Sequence, residues 1–210
     1  MEKGLFKFSV RDITEIAVMC ALAIAIDRLL NIKVGATGGS VSIACLPLFF
    51  VAFRHGWFKG FIASGVVFSL TTCLLDGYGF QFFVFDYFIA FGCIGIAGLF
   101  GKIIYKKIES KIIIDRIIAV SLIIASVLIY SVIRLFSASV DSMIFYELSL
   151  GASLAYNISY IGPSAIALVV FLIILVPALI AVNTMYPTEY LKDVVDKNKE
   201  IEEEKTNLDV

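Results

Sequence analysis

The sequence has few of the charged residues that soluble domains use at their surfaces. Only 17% of its 210 residues are charged, against about 25% in a typical soluble domain. The net charge of −1 gives no reason to expect nucleic acid as a partner. One His and four scattered Cys provide neither metal-ligand spacing nor a disulfide framework. We therefore expect no bound metal ion and no cofactor.

Long apolar segments make up most of the chain. Hydrophobic residues account for 60% of it, and the mean hydropathy is +0.96. Because a helix needs about 20 apolar residues to cross a bilayer, the apolar part has room for five or six spans. Six windows stand out, at 13–32, 41–53, 61–75, 80–101, 112–136 and 154–185. We therefore predict an all-α integral membrane protein with six transmembrane helices.

Two windows differ from a simple span. The second is short and contains Pro47, which predicts a kink or an incomplete crossing. The sixth is long and contains Pro163 and Pro177, which predict a tilted or kinked helix. After residue 186 the composition becomes charged and polar. We therefore predict a six-helix transmembrane domain at 1–186 and a polar cytoplasmic tail at 187–210, with a short amphipathic helix before a disordered end.

The distribution of Lys and Arg predicts the orientation in the membrane. With six spans, one side of the membrane carries ten of these residues near the span ends, and the opposite side carries three. Cytoplasmic loops are enriched in Lys and Arg. Both termini are therefore expected in the cytoplasm, and the chain is expected to be a multi-pass protein of the cell membrane, in contact with its lipids.

Ionisable side chains inside the predicted spans are candidates for function, because charge is costly in a bilayer. These residues are Glu15, Asp27, Arg28, Asp86 and Arg134. Glu15 lies near the cytoplasmic end of the first span, where an interfacial charge is common. Asp27, Arg28 and Arg134 lie near outer span ends and could pair with one another to hold the helices together.

Asp86 is the most informative of these residues. It follows a run of aromatic residues about two helical turns inside the outer end of the fourth span. A carboxylate there needs a cation, hydrogen-bond donors or a water-filled cavity. Tyr87 adds an aromatic face and a hydroxyl group. Asp86 and Tyr87 together suit a cationic or donor-rich ligand; the alternative is that Asp86 simply pairs with Arg134.

Two other outer segments contain features of a ligand site. Residues 35–40 are rich in glycine and can bring backbone groups close to a ligand, although such a segment is also an ordinary turn. Tyr156 and Tyr160 share one face of the sixth span, beside Asn157. The alternative role for the two tyrosines is anchoring at the membrane interface.

The first span has a stripe of small residues on one face. Ala17, Ala21 and Ala25 recur every four residues. Such a face lets another helix approach closely. It indicates either packing inside the bundle or docking against a separate membrane protein.

Four short patterns occur in order between residues 8 and 163. They are the alanine stripe; Gly38-Gly39-Ser40 ahead of Pro47; Asp86-Tyr87 followed by Ala90-Phe91 and Gly95; and Tyr156-Asn157 with Ser159, Tyr160 and Pro163. In these patterns the chain resembles the substrate-binding S components of energy-coupling-factor (ECF) vitamin transporters, specifically the thiamine-specific, ThiT/YuaJ-like branch.

The resemblance implies a fold, a function and partners. It implies a six-helix bundle that binds one vitamin near the outer face, under a lid formed by the first outer loop. The alanine stripe would dock on a transmembrane coupling subunit that carries two ATPase subunits. Such a protein binds its substrate and is not an enzyme.

The resemblance also implies which residues bind the substrate. It assigns this role to Asp86, Tyr87 and Asn157. It also assigns it to Tyr78, with slightly different spacing, to Tyr146, and to Ser142, where the family has a Gly. With the outer-segment candidates, the predicted substrate-binding residues are Asp86, Tyr87, Asn157, Tyr146, Tyr78, Ser142, Tyr160 and Gly39.

Three positions differ from the family pattern. Gly35, Ala138 and Ala152 stand where the family has a Trp, a His and a Tyr. Each lost ring partner costs about 1–3 kcal/mol of binding. The site therefore either binds thiamine weakly or takes a different small molecule.

Three functions remain as hypotheses. The first is an S component for thiamine or a related vitamin or precursor. The second is an intramembrane enzyme that uses Asp86 with Asp27 or Asp141, although the only His, His55, is expected in a cytoplasmic loop. The third is a stand-alone secondary transporter or scaffold. The sequence contains no phosphate-binding loop, so ATP hydrolysis would have to come from a partner.

Overall fold

The computed structural model describes residues 4–34, 39–110 and 112–198, which fold almost entirely into helices. The elements in chain order are α1 (Val10–Leu29), β1 (Ile32–Lys33), β2 (Ser40–Val41), α2 (Leu46–His55), α3 (Trp57–Asp76), α4 (Phe80–Leu99), α5 (Gly101–Ile108), α6 (Ile113–Phe145), α7 (Leu150–Met185) and α8 (192–198). The strands form one antiparallel hairpin between α1 and α2. The predicted all-α membrane architecture is confirmed.

Each of the six predicted windows coincides with a helix, but the helices differ in their capacity to span a bilayer. Among the described residues, four helices, namely α3, α4, α6 and α7, are long and apolar enough to cross. α1 has 20 residues but contains several charged side chains, and α2 has only 10 residues. Six complete crossings therefore remain a prediction.

Pro47 lies at the start of α2. The proline lies in the first turn of the helix, where its missing N–H has no intrahelical partner to lose. It therefore starts α2 and does not kink it. Ten residues rise about 15 Å, roughly half of the hydrocarbon thickness, so α2 alone is too short for a complete span.

The last two long helices extend beyond the predicted windows. α6 continues to Phe145, nine residues past the predicted end, and α7 begins at Leu150. The outer connection between them is therefore a four-residue turn, and Asp141 and Ser142 are helical. α7 remains one helix of 36 residues through both of its prolines.

Glycines bring the backbones of α3 and α4 into close contact. A Cβ added at Gly65 would lie 2.9 Å from the Cα atom of Gly92, and one added at Gly95 would lie 2.8 Å from the backbone nitrogen of Phe61. Side chains at these positions would force the helices apart. This close packing fixes α4, and therefore Asp86, against α3.

At the predicted cytoplasmic end, α1, α2 and α3 share a group of charged side chains that we call the inner cluster. Its members are Asp12, Glu15, Arg54, His55 and Lys59. Arg54 Nε donates to Glu15 at 2.8 Å, and Lys59 Nζ donates to Asp12 at 2.9 Å. His55 ends α2 and is buried against both carboxylates, so its predicted position in a loop is wrong. Glu15 is likewise an ion-pair partner and more than an interfacial charge.

The first part of the predicted tail packs against the bundle. The hydroxyl group of Tyr190 donates to the carbonyl oxygen of Gly98 at 2.8 Å, and that of Thr188 donates to the carbonyl oxygen of Arg54 at 2.8 Å. Leu191 is fully buried. Residues 199–210 lie outside the described residues, so the boundary at 186 and the cytoplasmic tail stay predictions.

Candidate substrate-binding cavity

One cavity of about 510 Å³ lies at the predicted outer end of the bundle. All eight residues predicted to bind substrate line it, although their role in binding stays a prediction. The other lining residues are Asp27, Ser40, Thr72, Asp76, Phe82, Phe91, Arg134, Asp141, Leu148, Ala152 and Tyr156. The cavity wall therefore contains both charged and aromatic side chains.

The local shape of α4 positions Asp86 and Tyr87. From Phe83 to Ile89 the helix has wider, π-helical turns, which occur frequently at functional sites. Hydroxyl groups of neighbouring helices bond to carbonyl groups of this segment: Ser69 to that of Tyr87 at 2.9 Å, and Ser137 to that of Phe85 at 2.5 Å. The segment is thus attached to α3 on one side and to α6 on the other.

Two of the cavity carboxylates are paired. Arg28 contacts Asp27 at 2.6 Å and Asp76 at 2.8 Å. The hydroxyl group of Tyr87 donates to the other oxygen of Asp76 at 2.8 Å. Tyr87 therefore contributes an aromatic wall and positions Asp76, while Arg28 connects α1 to α3.

The other two cavity carboxylates have no partner. Among the described residues, neither Asp86 nor Asp141 makes a hydrogen bond or an ion pair, and Oδ1 of Asp141 is buried. Arg134 instead lies 4.6 Å from the ring centroid of Phe91 and donates to the hydroxyl group of Tyr130 at 2.5 Å. The alternative in which Asp86 simply pairs with Arg134 is therefore not observed, and Arg134 does not join Asp27 and Arg28.

The cavity consequently has an excess of negative charge. Four carboxylates line it, and the guanidinium groups of Arg28 and Arg134 are the cations beside them. In the described part of the chain, no three His, Cys, Asp or Glu side chains lie close enough together to hold a metal ion. An organic cation with hydrogen-bond donors suits this wall better than a metal ion does.

Asn157 is held rigidly in the wall. It is 1% exposed, and its amide nitrogen donates to the carbonyl oxygen of Ser153 at 2.9 Å and contacts the Ser142 hydroxyl at 3.2 Å. Its side-chain oxygen accepts from Tyr160 at 2.5 Å. This network presents a polar surface made by α6 and α7 opposite α4.

The hairpin between α1 and α2 closes one side of the cavity. The backbone N–H of Gly39 donates to the hydroxyl group of Tyr156 at 3.0 Å, and an added Cβ at Gly39 would lie 2.6 Å from the ring of Tyr160. Only glycine permits this approach. Of the glycine-rich segment 35–40, residues 35–38 lie outside the described residues, and so does the position of Gly35.

The sequence pattern of one protein family covers most of the chain. The family described as "Thiamine transporter protein (Thia_YuaJ)" matches residues 13–184. The chain belongs to this family. Its members are transporters, in agreement with the prediction that the chain is a multi-pass membrane protein and not an enzyme.

Two proteins called ThiT are similar to the chain. The thiamine transporter ThiT of Bacillus subtilis (strain 168) is 34% identical over 101 residues, which cover 46% of this chain and 52% of that protein. The match thus spans about half the length of the curated relative. A solved structure of ThiT from Listeria monocytogenes is 20% identical, with a TM-score of 0.64, and covers 86% of this chain and 97% of that one. This second likeness shows a shared fold.

Sequence reasoning missed several residues of the cavity wall. Asp76 was not singled out because it closes α3 beside Gly77, where a polar residue also suits an ordinary helix end. Asp141 was considered only as an acid of the enzyme hypothesis, since the predicted fifth span ended before it. The signal for Asp141 was present: helical periodicity continues past residue 136, and Ser137, Ala138 and Asp141 repeat on one face.

Proposed function

We propose that the chain is the substrate-binding component of an importer, and that it captures thiamine or a closely related cationic vitamin or precursor at the outer face. The single observation that carries this proposal is the unpaired carboxylate of Asp86 in a cavity lined by aromatic rings. Family membership supports the same substrate class.

The charge of the cavity agrees with a cationic ligand. A positively charged ring placed beside Asp86 gains charge–charge attraction, and the rings of Tyr87 and Phe82 in the same wall can add cation–π attraction. The thiazolium ring of thiamine carries a permanent positive charge, so it satisfies both contacts.

The Trp, His and Tyr rings of the family pattern are absent from this chain, so ligand binding has to depend on other side chains. Ala152 lines the cavity, and Ala138 packs beside Tyr160. Neither can stack on or donate to a ligand. Binding would therefore rely on Asp86, Tyr87 and Asn157, together with Tyr78 and Tyr146 at the rim.

The alanine stripe agrees with docking on another membrane protein. Ala17, Ala21 and Ala25 are all exposed on α1, and the neighbouring Val18 and Leu22 are exposed as well. Internal packing therefore does not explain the stripe. We propose that it contacts a transmembrane coupling subunit that carries two ATPase subunits, and that these power import.

Native mass spectrometry in mild detergent, followed by titration with thiamine, tests the substrate. We expect a bound mass that matches thiamine, and sub-micromolar affinity by calorimetry would show that Asp86, Tyr87 and Asn157 suffice without the three missing rings. Absence of thiamine binding, with another small molecule retained, would contradict this substrate. Trp57 lies at the opposite end of α3 from the cavity, so tryptophan fluorescence is a poor reporter of binding.

An Ala21→Trp variant tests the docking surface. A bulky ring on the stripe should abolish uptake into cells and co-purification of the coupling subunit, while thiamine binding to the purified chain stays unchanged. Ala178→Trp, at an exposed position on α7, is the matched control and should retain uptake. Normal uptake by the Ala21 variant would remove the stripe from the transport mechanism.

A further inference from the structure

Asp141 is a buried carboxylate that makes no hydrogen bond or ion pair with the residues the structure describes. Its side chain is 3% exposed, its Oδ1 atom makes no hydrogen bond, and it lines the cavity. A buried charge is costly unless another group pairs with it. Asp141 also faces the cavity, so a ligand that donates a hydrogen bond from the cavity would supply the partner that its Oδ1 atom does not have.

We infer that Asp141 is a second ligand-contacting carboxylate, which accepts a hydrogen bond from an amino-substituted ring of the substrate and thereby selects it over analogues that lack the amino group. This inference rests on the proposed function and adds a specificity-determining residue to it. It gives the cavity two separate anionic contacts, one for a ring cation and one for an N–H donor.

The residues around Asp86 suit the ring cation, and those around Asp141 suit the N–H donor. Asp86 is followed by Tyr87, and Phe82 lies one turn before it, so a flat cation there meets aromatic faces. Asp141 lies beside Ser142, whose hydroxyl group donates to the carbonyl oxygen of Ala138 at 2.9 Å. Ser142 therefore donates elsewhere, and Oδ1 of Asp141 has no partner among the described residues and offers an acceptor to the ligand.

The chemistry of thiamine fits both contacts. Its thiazolium ring is a fixed cation, and its pyrimidine ring carries an exocyclic amino group that donates N–H bonds. An ionised carboxylate only accepts hydrogen bonds. In oxythiamine an oxo group replaces the amino group, so that lone pairs would face the lone pairs of Asp141. A site that forms a hydrogen bond with one polar group of its substrate strongly rejects an analogue in which that group is missing.

Calorimetric titration of the full-length protein with thiamine and with oxythiamine tests the inference. The wild-type protein should bind thiamine at least tenfold more tightly than oxythiamine. In Asp141→Asn the side-chain amide can donate to the oxo group, so thiamine affinity should fall at least tenfold and oxythiamine affinity should not fall. Asp86→Asn should weaken both ligands alike, because both carry the thiazolium ring.

Asp115→Asn is the matched control, since Asp115 lies at the other end of α6 and pairs with Lys107 at 2.5 Å. It should leave both affinities unchanged. If Asp141→Asn does not purify as a single species, Asp141→Ser removes the same carboxylate and gives the same comparison. Thiamine binding by the wild type with an unchanged preference in the Asp141 variants overturns the inference alone. No thiamine binding by the wild type overturns the proposed function and the inference with it.

Discussion

At the predicted cytoplasmic end of the bundle each buried carboxylate contacts a cation, whereas at the outer end two of the four cavity carboxylates contact none. In the inner cluster, Asp12 contacts Lys59, and Glu15 contacts Arg54, while His55 lies against both acids. In the cavity, Asp86 and Asp141 are left without partners.

This difference distinguishes charged side chains that stabilise the fold from charged side chains that we propose bind a ligand. Arg54 connects three helices. It lies on α2, contacts Glu15 on α1, and also donates to Asn183 on α7 and to the carbonyl oxygen of Tyr186 at the end of α7.

Removal of Arg54 would take away the buried guanidinium group that contacts both oxygens of Glu15 and would leave that carboxylate with His55 and the exposed Arg11. Removal of an unpaired carboxylate leaves nothing unsatisfied in the protein and relieves a desolvation cost. Mutations at the two ends should therefore change different measured quantities.

The largest expected effect is on stability, at the inner cluster. Arg54→Met should lower the free energy of unfolding by about 3–5 kcal/mol, the usual cost of breaking a buried ion pair. Unfolding by SDS in mixed detergent micelles measures it. The matched control is Arg11→Met, which removes the exposed partner of the same Glu15 and should cost about 1 kcal/mol or less. Equal losses in both variants would contradict the distinction.

The next effect is on binding, at the cavity. Asp86→Asn should weaken thiamine binding about 10- to 100-fold, because a contact with a charged group contributes about 1.5–3 kcal/mol. Its free energy of unfolding without ligand should be equal to or higher than that of the wild type. Calorimetry and the same unfolding assay measure the two quantities. A loss of stability with unchanged thiamine affinity would show that Asp86 stabilises the fold, as the inner cluster does, and does not bind the ligand.

A smaller effect is expected at the hairpin that closes the cavity. Gly39→Ala places a methyl group against the ring of Tyr160 and should displace the hairpin, since overpacking costs about 1–3 kcal/mol. Thiamine binding should weaken about tenfold and dissociate faster in a stopped-flow or filter-retention assay. Gly151→Ala, where an added Cβ meets no atom within 4 Å, is the control and should bind normally.

The smallest effect is expected at the paired carboxylates of the outer end. Arg28→Gln breaks ion pairs whose side chains are between 19% and 34% exposed, so water can replace much of the interaction. It should lower the free energy of unfolding by about 1 kcal/mol or less. A loss as large as that of Arg54→Met would show that both ends stabilise the fold through their charges.

Much of the fold followed from the sequence because hydropathy depends on each segment alone. Each of the six apolar windows overlaps a helix, and the eight predicted substrate-binding residues all line one cavity. The helix ends were less predictable. α6 runs to Phe145, past the window that ends at residue 136, and its polar residue Ser142 bonds to Asn157 of α7. A hydropathy window cannot detect such a bond between helices, so it counts the polar end of α6 as loop.

The sequence by itself determined that this chain enters a membrane and which segments are apolar helices, because these depend on composition and periodicity along one dimension. Only the tertiary structure decided which charges are paired. Within the described part of the chain, Arg28 contacts Asp76 from another helix, Arg134 contacts aromatic rings and no carboxylate, and Asp141 has no partner. Pairing depends on distances between helices, and those distances are set by packing contacts such as Gly65 against Gly92.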